Sequence, residues 1–227
     1  MLDTLIREGH PLGVERVESR FIYPVEGLIY HWSKPLRDTL GPLNEGIRLG
    51  MECDDIQSAG SNLVFYLRHT YFSGCELGGN AVTEFIDRHI EYHGDDSQRV
   101  HISSELDIET YFLAVKKLRG VEIQEDERDF DGILAAANET GNQTLHADIY
   151  LVQLDLKVFF GEWEEAAEML KQAGNVQDAL LAMFAGVRWT ILEALISIKA
   201  TRSSKNTLTS FKWRRRAYNA VKTVRGW

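Results

Sequence analysis

The sequence predicts an all-α chain built from antiparallel helical hairpins, and three observations carry that prediction. In residues 146–170 and just before them, Leu145, Ile149, Val152, Leu156 and Phe159 recur every three or four positions and so form one helical stripe. Gly161 interrupts it, and Glu162-Trp163-Glu164-Glu165-Ala166 opens a second helix with Trp163, Ala166, Ala167 and Leu170 on one face. Turn signals near Trp32, Gly74, Gly120, Gly161 and Thr201 recur at roughly 40–46 residues, as structural repeats do. No apolar–polar alternation of useful strand length interrupts the pattern.

A helix, a glycine–acidic–aromatic turn and a second helix with small contact residues make the hairpin of tetratricopeptide-like arrays. The spacing exceeds the ~34 residues of a standard unit, so the expected form is an irregular array of about ten helices. Residues 59–74 and 147–161 resemble each other, each ending in aromatic residues before glycine.

Taken in order, Val14, Val17, Phe21, Val25, Leu28 and Trp32 have helical spacing, with Pro24 expected to kink the helix. Ser33 is a candidate N-cap, followed by Pro35 and a helix through Leu36, Leu40, Leu43 and Ile47 that ends near Gly50. Gly41-Pro42 sits awkwardly inside it. Asp54 or Asp55 caps the third helix, with Ile56, Ala59, Leu63, Val64 and Leu67 on one face. A fourth carries Val82, Phe85, Ile86 and Ile90, and a polar loop covers 95–101. A fifth holds Ile108, Phe112, Val115 and Leu118, closed by Gly120. After an acidic connector, Phe130, Ile133, Leu134 and Ala137 mark a short sixth helix. Beyond the central hairpin, Leu180, Phe184, Val187, Ile191, Leu195 and Ile198 mark a long apolar helix, and a basic helix runs from about Asn206 to the end. Residues expected in the core include Leu63, Phe85, Phe112, Val152, Leu156, Trp163 and Ile191.

The 227 residues are enough for a single array, read as one helical-repeat domain over 1–227 whose last part, 202–227, is basic. With 44% hydrophobic and 26% charged residues the composition is that of a soluble globular protein, and with 4 prolines no linker divides it. Two cysteines, Cys53 and Cys75, are too few for a disulfide scaffold. The opening MLDTLIREGH has no apolar leader core and no apolar run reaches membrane length, so the expected setting is cytoplasmic. Charge is unevenly spread. The chain carries a net −9, yet no acidic residue follows Glu193, and nine lysines and arginines do, which leaves about −18 on the first 193 residues.

The sequence carries none of the familiar catalytic patterns. A phosphate-binding loop needs backbone amides and a lysine in Gly-x-x-x-x-Gly-Lys-Ser/Thr, and no such string occurs; Gly78-Gly79-Asn80 reads as a turn. His89 and His93 stand one helical turn apart, as a zinc pair requires, but Glu91 is not adjacent to the first histidine and no third ligand is evident. Polar-face histidines are the simpler reading. His31 and His69 read as partly buried, hydrogen-bonded imidazoles. Cys53 lies near an expected helix start, where the dipole favours a thiolate, but no base stands at a recognisable spacing. Asp54-Asp55, Asp95-Asp96 and Glu164-Glu165 fall at helix starts or loops, where they complement the dipole. No catalytic, cofactor-binding or metal-binding residue is assigned.

The candidate site is the cluster Lys212, Trp213, Arg214, Arg215 and Arg216, able to meet a partner or an anion. Arginines beside an aromatic suit phosphates and a stacked base, or an anionic membrane surface. They also suit docking on the acidic array. Trp213, Ala217, Ala220 and Val224 form a narrow apolar stripe expected to dock the basic helix on residues 180–198, leaving a C-terminal edge open to self-association or an acidic partner.

One stretch carries a resemblance. His31, Trp32, Pro35, Leu36, Arg37, Asp38, Thr39 and Leu40 match the pattern His-Trp-x-x-Pro-Leu-Arg-Glu/Asp-Thr-Leu. Residues 137–142 are similar to a later Glu-Ala-Thr-Gly-Asn-like stretch, and Gly161, Trp163 and Ala166 to a Gly-x-Tyr/Trp-x-x-Ala turn. Together they resemble the helical region of very large predicted-ATPase signalling proteins, in which kinase-like and AAA-type ATPase domains precede such helices and GAF and sensor histidine kinase modules often follow. The resemblance covers about residues 12–213 and includes no kinase, ATPase or histidine kinase segment. It implies a stand-alone relative or a fragment that acts as a non-catalytic interaction or scaffold module in signal transduction, through a protein partner or neighbouring domains. The alternative is a small helical protein that binds nucleic acid or anionic membrane through its basic end. The expected outcome of calorimetry with ATP and magnesium is no stoichiometric binding, because the phosphate-binding loop is missing; saturable, magnesium-dependent heat would move the reading towards an enzyme.

Overall fold

The structure, a computed structural model, describes residues 11–74, 100–120, 128–174, 176–180 and 182–225. Among these residues it is all-α, with no strand. The expected helix around Phe85, the His89/His93 pair, Cys75 and the acidic connector lie outside the described residues. The chain divides into two compact units, Met1–Tyr111 and Phe112–Trp227.

In the first unit, helix α1 spans Pro11–Pro24. Pro24 supplies no N–H at the end of α1, and the chain changes helix type there, to a π turn over Val25–Ile29 and a 3-10 turn over Tyr30–Trp32. The expected kink is thus a change of helix type. Ser33 does not cap the next helix; its hydroxyl donates back to the Tyr30 carbonyl at 3.1 Å. A 3-10 turn over Leu36–Thr39 leads into α2, Leu40–Glu52. Gly41-Pro42 therefore falls in the first turn of α2, where a missing N–H costs nothing. Asp55 is the cap of α3, Ile56–Ser73: its Oδ1 accepts from the Ser58 amide at 3.3 Å while Oδ2 accepts from Arg20 Nε at 2.7 Å.

Helices α1, α2 and α3 pack together around Leu43, Ala59, Leu63 and Leu67. Their backbones come unusually close. A Cβ on Gly50 would lie 2.8 Å from the Ala59 nitrogen and 2.9 Å from Ser19 Oγ, and one on Gly46 would lie 2.4 Å from Asn62 Oδ1. Donors at this crossing are used: Asn62 Nδ2 donates to the Ser19 and Ser58 carbonyls at 2.9 and 2.8 Å, and Ser19 Oγ donates to the Gly46 carbonyl at 2.9 Å. Helix α4, Val100–Arg119, contributes Tyr111 to this unit, fully buried, with Arg68 Nε donating to its hydroxyl at 3.4 Å.

In the second unit, Asp129 caps α5, Phe130–Thr140, and Asn142 caps α6, Gln143–Phe160, each with a side-chain oxygen accepting backbone amides. Gly161, at φ 79°, takes the left-handed conformation that ends α6, and α7 follows over Trp163–Gln172. The short α8 is Val176–Ala179, the long α9 is Phe184–Ser203 and α10 is Thr207–Arg225. Helix α6 packs against α5, α7 and α9, so Leu145, Ile149, Leu151, Val152 and Leu154 are all buried, on more than the one stripe expected.

The expected core is partly displaced. Leu63, Val152 and Leu156 are buried, but Phe112, Trp163 and Ile191 are half-buried, and Phe159 is 69% exposed. Lys199 Nζ lies 5.6 Å from the Trp163 ring centroid. On α9 the buried residues are Ala185, Trp189, Thr190, Leu192, Ala194, Ile196 and Ser197 rather than the 184/187/191/195/198 stripe, because α9 packs against α6, α7 and α10 and no single stripe serves all three. Arg188 Nε donates to Asp155 Oδ1 of α6 at 3.0 Å.

The crossing of α2 with α3 generates a sign-reversed test. Alanine for glycine inside a helix normally stabilises by up to ~1 kcal/mol, and Gly41→Ala, with nothing within 4 Å of its Cβ, should follow that rule. Gly50→Ala meets backbone that cannot yield and should instead destabilise by about 1–3 kcal/mol. Urea unfolding of the two variants checks it; equal stability gains would show that the helices do not approach as described.

Candidate interaction surface

The basic helix α10 docks on α9 as the apolar spacing suggests. Asn206 caps α10, its Oδ1 accepting the Leu208 and Thr209 amides at 2.9 and 3.2 Å. Trp213, Ala217 and Ala220 are buried, and Val224 is exposed. The two alanines let the helix axes approach, and the Trp213 ring fills the space at one end.

Docking divides the five candidate residues. Arg216 Nε donates to Glu193 Oε1 of α9 at 2.5 Å, and its Nη2 donates at 3.1 Å to the Leu170 carbonyl, in the last turn of α7. That carbonyl belongs to the helix end whose acceptors lack intrahelical donors. Lys171 and Arg216 each lie 5.8 Å from the Trp213 ring centroid. Trp213 and Arg216 are therefore parts of the packing. Lys212, Arg214 and Arg215 remain exposed. Trp213 is 7% exposed, so its ring offers little surface to a stacked base, the alternative that its place beside the arginines suggests.

The outward face of α10 carries a second stripe, apart from the one formed by Trp213, Ala217, Ala220 and Val224. Leu208, Phe211, Arg215, Tyr218, Lys222 and Arg225 alternate in steps of three and four, which places them on one side of a helix. All six are exposed, Leu208 at 75%, Phe211 at 65% and Tyr218 at 68%. The spacing was visible in sequence, but it mixes apolar and cationic residues, and a search for apolar periodicity alone stops at Trp213.

Two hollows also open in the second unit, each about 440 Å³. One lies between α5, α6 and α8, beside Asn138, Asn142 and His146. The other is lined by Lys117, Phe130, Leu156, Lys157, Phe160 and Glu162 among others. Its lysines are not free charges: Lys157 pairs with Glu162 and Glu165 at 3.1 and 3.5 Å, and Lys117 lies over the Phe130 ring at 5.4 Å.

The first unit places chemistry-bearing residues in its interior instead. The Thr39 hydroxyl donates to the Leu36 carbonyl at 2.6 Å, so its oxygen accepts from His69 Nδ1 at 2.7 Å. That assigns the neutral tautomer with its proton on Nδ1. Burial, then Arg68, then His31 hold the His69 pKa down at about 3, and burial also lowers that of His31, with the Gly27 carbonyl opposing. The rings stand edge to face at 5.9 Å. Burial alone raises the Asp55 pKa, but Arg20 and the Ser58 amide outweigh it and the net shift is downward. Cys53 follows the end of α2 as its C-cap rather than opening a helix. Among the described residues no group of three or more His, Cys, Asp or Glu is placed to hold a metal ion, and no helix is long and apolar enough to cross a membrane.

Comparison of the chain with protein-family models, curated proteins and solved structures finds no match.

The His69 pocket sets a pH dependence. Unfolded, the imidazole titrates near its ordinary 6.5; folded, it titrates near 3. Between those values the unfolded chain binds more protons, so this stabilisation is complete above 6.5 and is lost as pH falls towards 3. The slope is at most about 1.4 kcal/mol per pH unit. Guanidinium unfolding at pH 7 and 5 should show the loss, with the His69 ring proton still at its neutral NMR position at pH 5; a titration midpoint near the ordinary value would remove the account.

Proposed function

We propose that the chain is a helical-repeat, tetratricopeptide-like interaction module, non-catalytic and cytoplasmic, that takes a protein partner on its second unit. The observation that carries this reading is the outward face of α10, where Leu208, Phe211 and Tyr218 stand exposed beside a helix already fixed from behind by Trp213 and Arg216. A rigid helix with large apolar side chains turned to solvent is the form in which helical arrays meet partners. The resemblance of residues 31–40 and of the Gly161 turn to the helical region of predicted-ATPase signalling proteins adds a setting: a scaffold between a partner and enzymatic domains carried elsewhere. The hairpins and the left-handed glycines at 141 and 161 accord with such an array.

The nucleic-acid alternative retains Lys212, Arg214 and Arg215 but has lost its tryptophan to the interior.

The test is co-purification from the native host with the full chain. Combined Leu208→Ser, Phe211→Ser and Tyr218→Ser should leave stability within about 0.5 kcal/mol per site of wild type, since none of the three side chains is packed. The same variant should lose the specific partner that the wild type retains. Equal recovery by both forms would place the binding surface elsewhere, and the absence of any protein bound specifically by wild type would overturn the reading.

A further inference from the structure

The chemistry of the α10 stripe identifies what it fits. Over 19 residues, or about 28 Å, the stripe opens with large apolar side chains and becomes increasingly cationic: Leu208 and Phe211, then Arg215, Tyr218, Lys222 and Arg225. Among the described residues no ion pair engages Arg215, Lys222 or Arg225, and α10 packs chiefly on α9. The steps of three and four are the ridge spacing that another helix interdigitates with. Helix α9 meets helices on more than one side, whereas α10 keeps this ridge open.

We propose that this stripe binds an acidic amphipathic helix of a protein partner, apolar residues against Leu208, Phe211 and Tyr218 and carboxylates against Arg215, Lys222 and Arg225. The inference rests on the interaction-module reading and names its ligand.

Charge complementarity favours a local acidic helix over an extended polyanion. The first 193 residues carry about −18, so a membrane or nucleic acid, with its long-range negative field, is repelled by most of the molecule. A single helix seated on α10 meets only the cationic face, within a Debye length of about 8–10 Å. Leu208 gives a nucleic acid nothing to pair with, and the best stacking ring, Trp213, is enclosed. An interfacial membrane helix inserts a continuous apolar face, and the apolar face of α10 is already spent on α9.

The probe is a synthetic helical peptide of about 20 residues with leucine at heptad a and d positions and glutamate beside them, paired with its Glu→Gln counterpart. Binding to the full chain is followed by fluorescence anisotropy. The expected result is saturable one-to-one binding of the acidic peptide, weakened at least about tenfold by the glutamine version and by raising salt from 0.05 to about 0.5 M. The triple variant Arg215→Gln, Lys222→Gln and Arg225→Gln should reproduce that loss with an unchanged circular dichroism melt; charge reversal to Glu at Arg215 alone is the second variant should the triple fold poorly. Equal affinity for both peptides, or no effect of the cation variants, overturns the acidic-helix assignment while the interaction-module reading stands if the Leu208/Phe211/Tyr218 variant still loses its partner. Tighter, cation-dependent binding to phosphatidylserine vesicles or to a single-stranded oligonucleotide overturns it in favour of a polyanion surface. Cation-dependent dimerisation by light scattering without peptide binding overturns it in favour of a second copy.

Discussion

Close backbone approach between helices is the constraint on which the packing of each unit depends. In the first unit, Gly46 and Gly50 of α2 lie so near α3 that a single added methyl would strike Asn62 or the Ala59 backbone. In the second, Ala217 and Ala220 seat α10 on α9, and the turn before α9 presses on its first turn, where a Cβ on Gly186 would stand 2.8 Å from the Leu180 carbonyl oxygen. At such distances the attraction is dispersion summed over many atom pairs, which falls steeply when the helices separate. It also brings polar backbone within reach of side chains on the neighbouring helix. That is why Asn62 and Ser19 are buried at the crossing and hydrogen-bonded to carbonyls across it.

The same closeness explains the interior of the first unit. With α3 held against α2 and the chain before it, the π turn around Gly27 accepts the Phe65 ring, whose Cδ1 atom lies 2.4 Å from where a Cβ on Gly27 would sit. Behind Phe65 stand Arg68 and His69, both almost fully buried. Arg68 lies over the Phe65 ring at 5.0 Å and reaches Tyr111, and His69 is anchored by Thr39. A neutral imidazole tolerates this enclosure where a charged one does not. His31 of the His31-Trp32 motif joins this interior, its ring 4.8 Å from Trp32 and 5.9 Å from His69.

In the second unit, electrostatics and packing are divided between the two sides of one helix. Inward, Arg216 joins α10 to both α9 and α7, half-buried and matched by a carboxylate and a helix-end carbonyl. Such a pair is worth more than its exposed counterparts, because its partners are fixed before it arrives. Outward, Leu208, Phe211 and Tyr218 are exposed beside Arg215, Lys222 and Arg225, and among the described residues no ion pair engages those three cations. Packing accounts for the inner face of α10, and the outer face is the one for which a binding role is proposed.

Local signals determined much of this protein from sequence alone. The helix type, the glycine turns at 74, 120 and 161, an aspartate cap at 54 or 55 and the docking of the basic helix through Trp213 were legible because each depends on residues within one or two turns of one another. Tertiary structure decided what spacing cannot express. It chose Leu192 and Ile196 over Ile191 and Leu195, left Phe159 outside and Trp163 half-covered, and took Arg216 out of the cluster it shares with Arg214 and Arg215. A helix in the midst of others has several contact directions, and the sequence of one helix does not record where its neighbours lie. The physical reason is that periodicity reports which residues share a face, while burial depends on what that face meets.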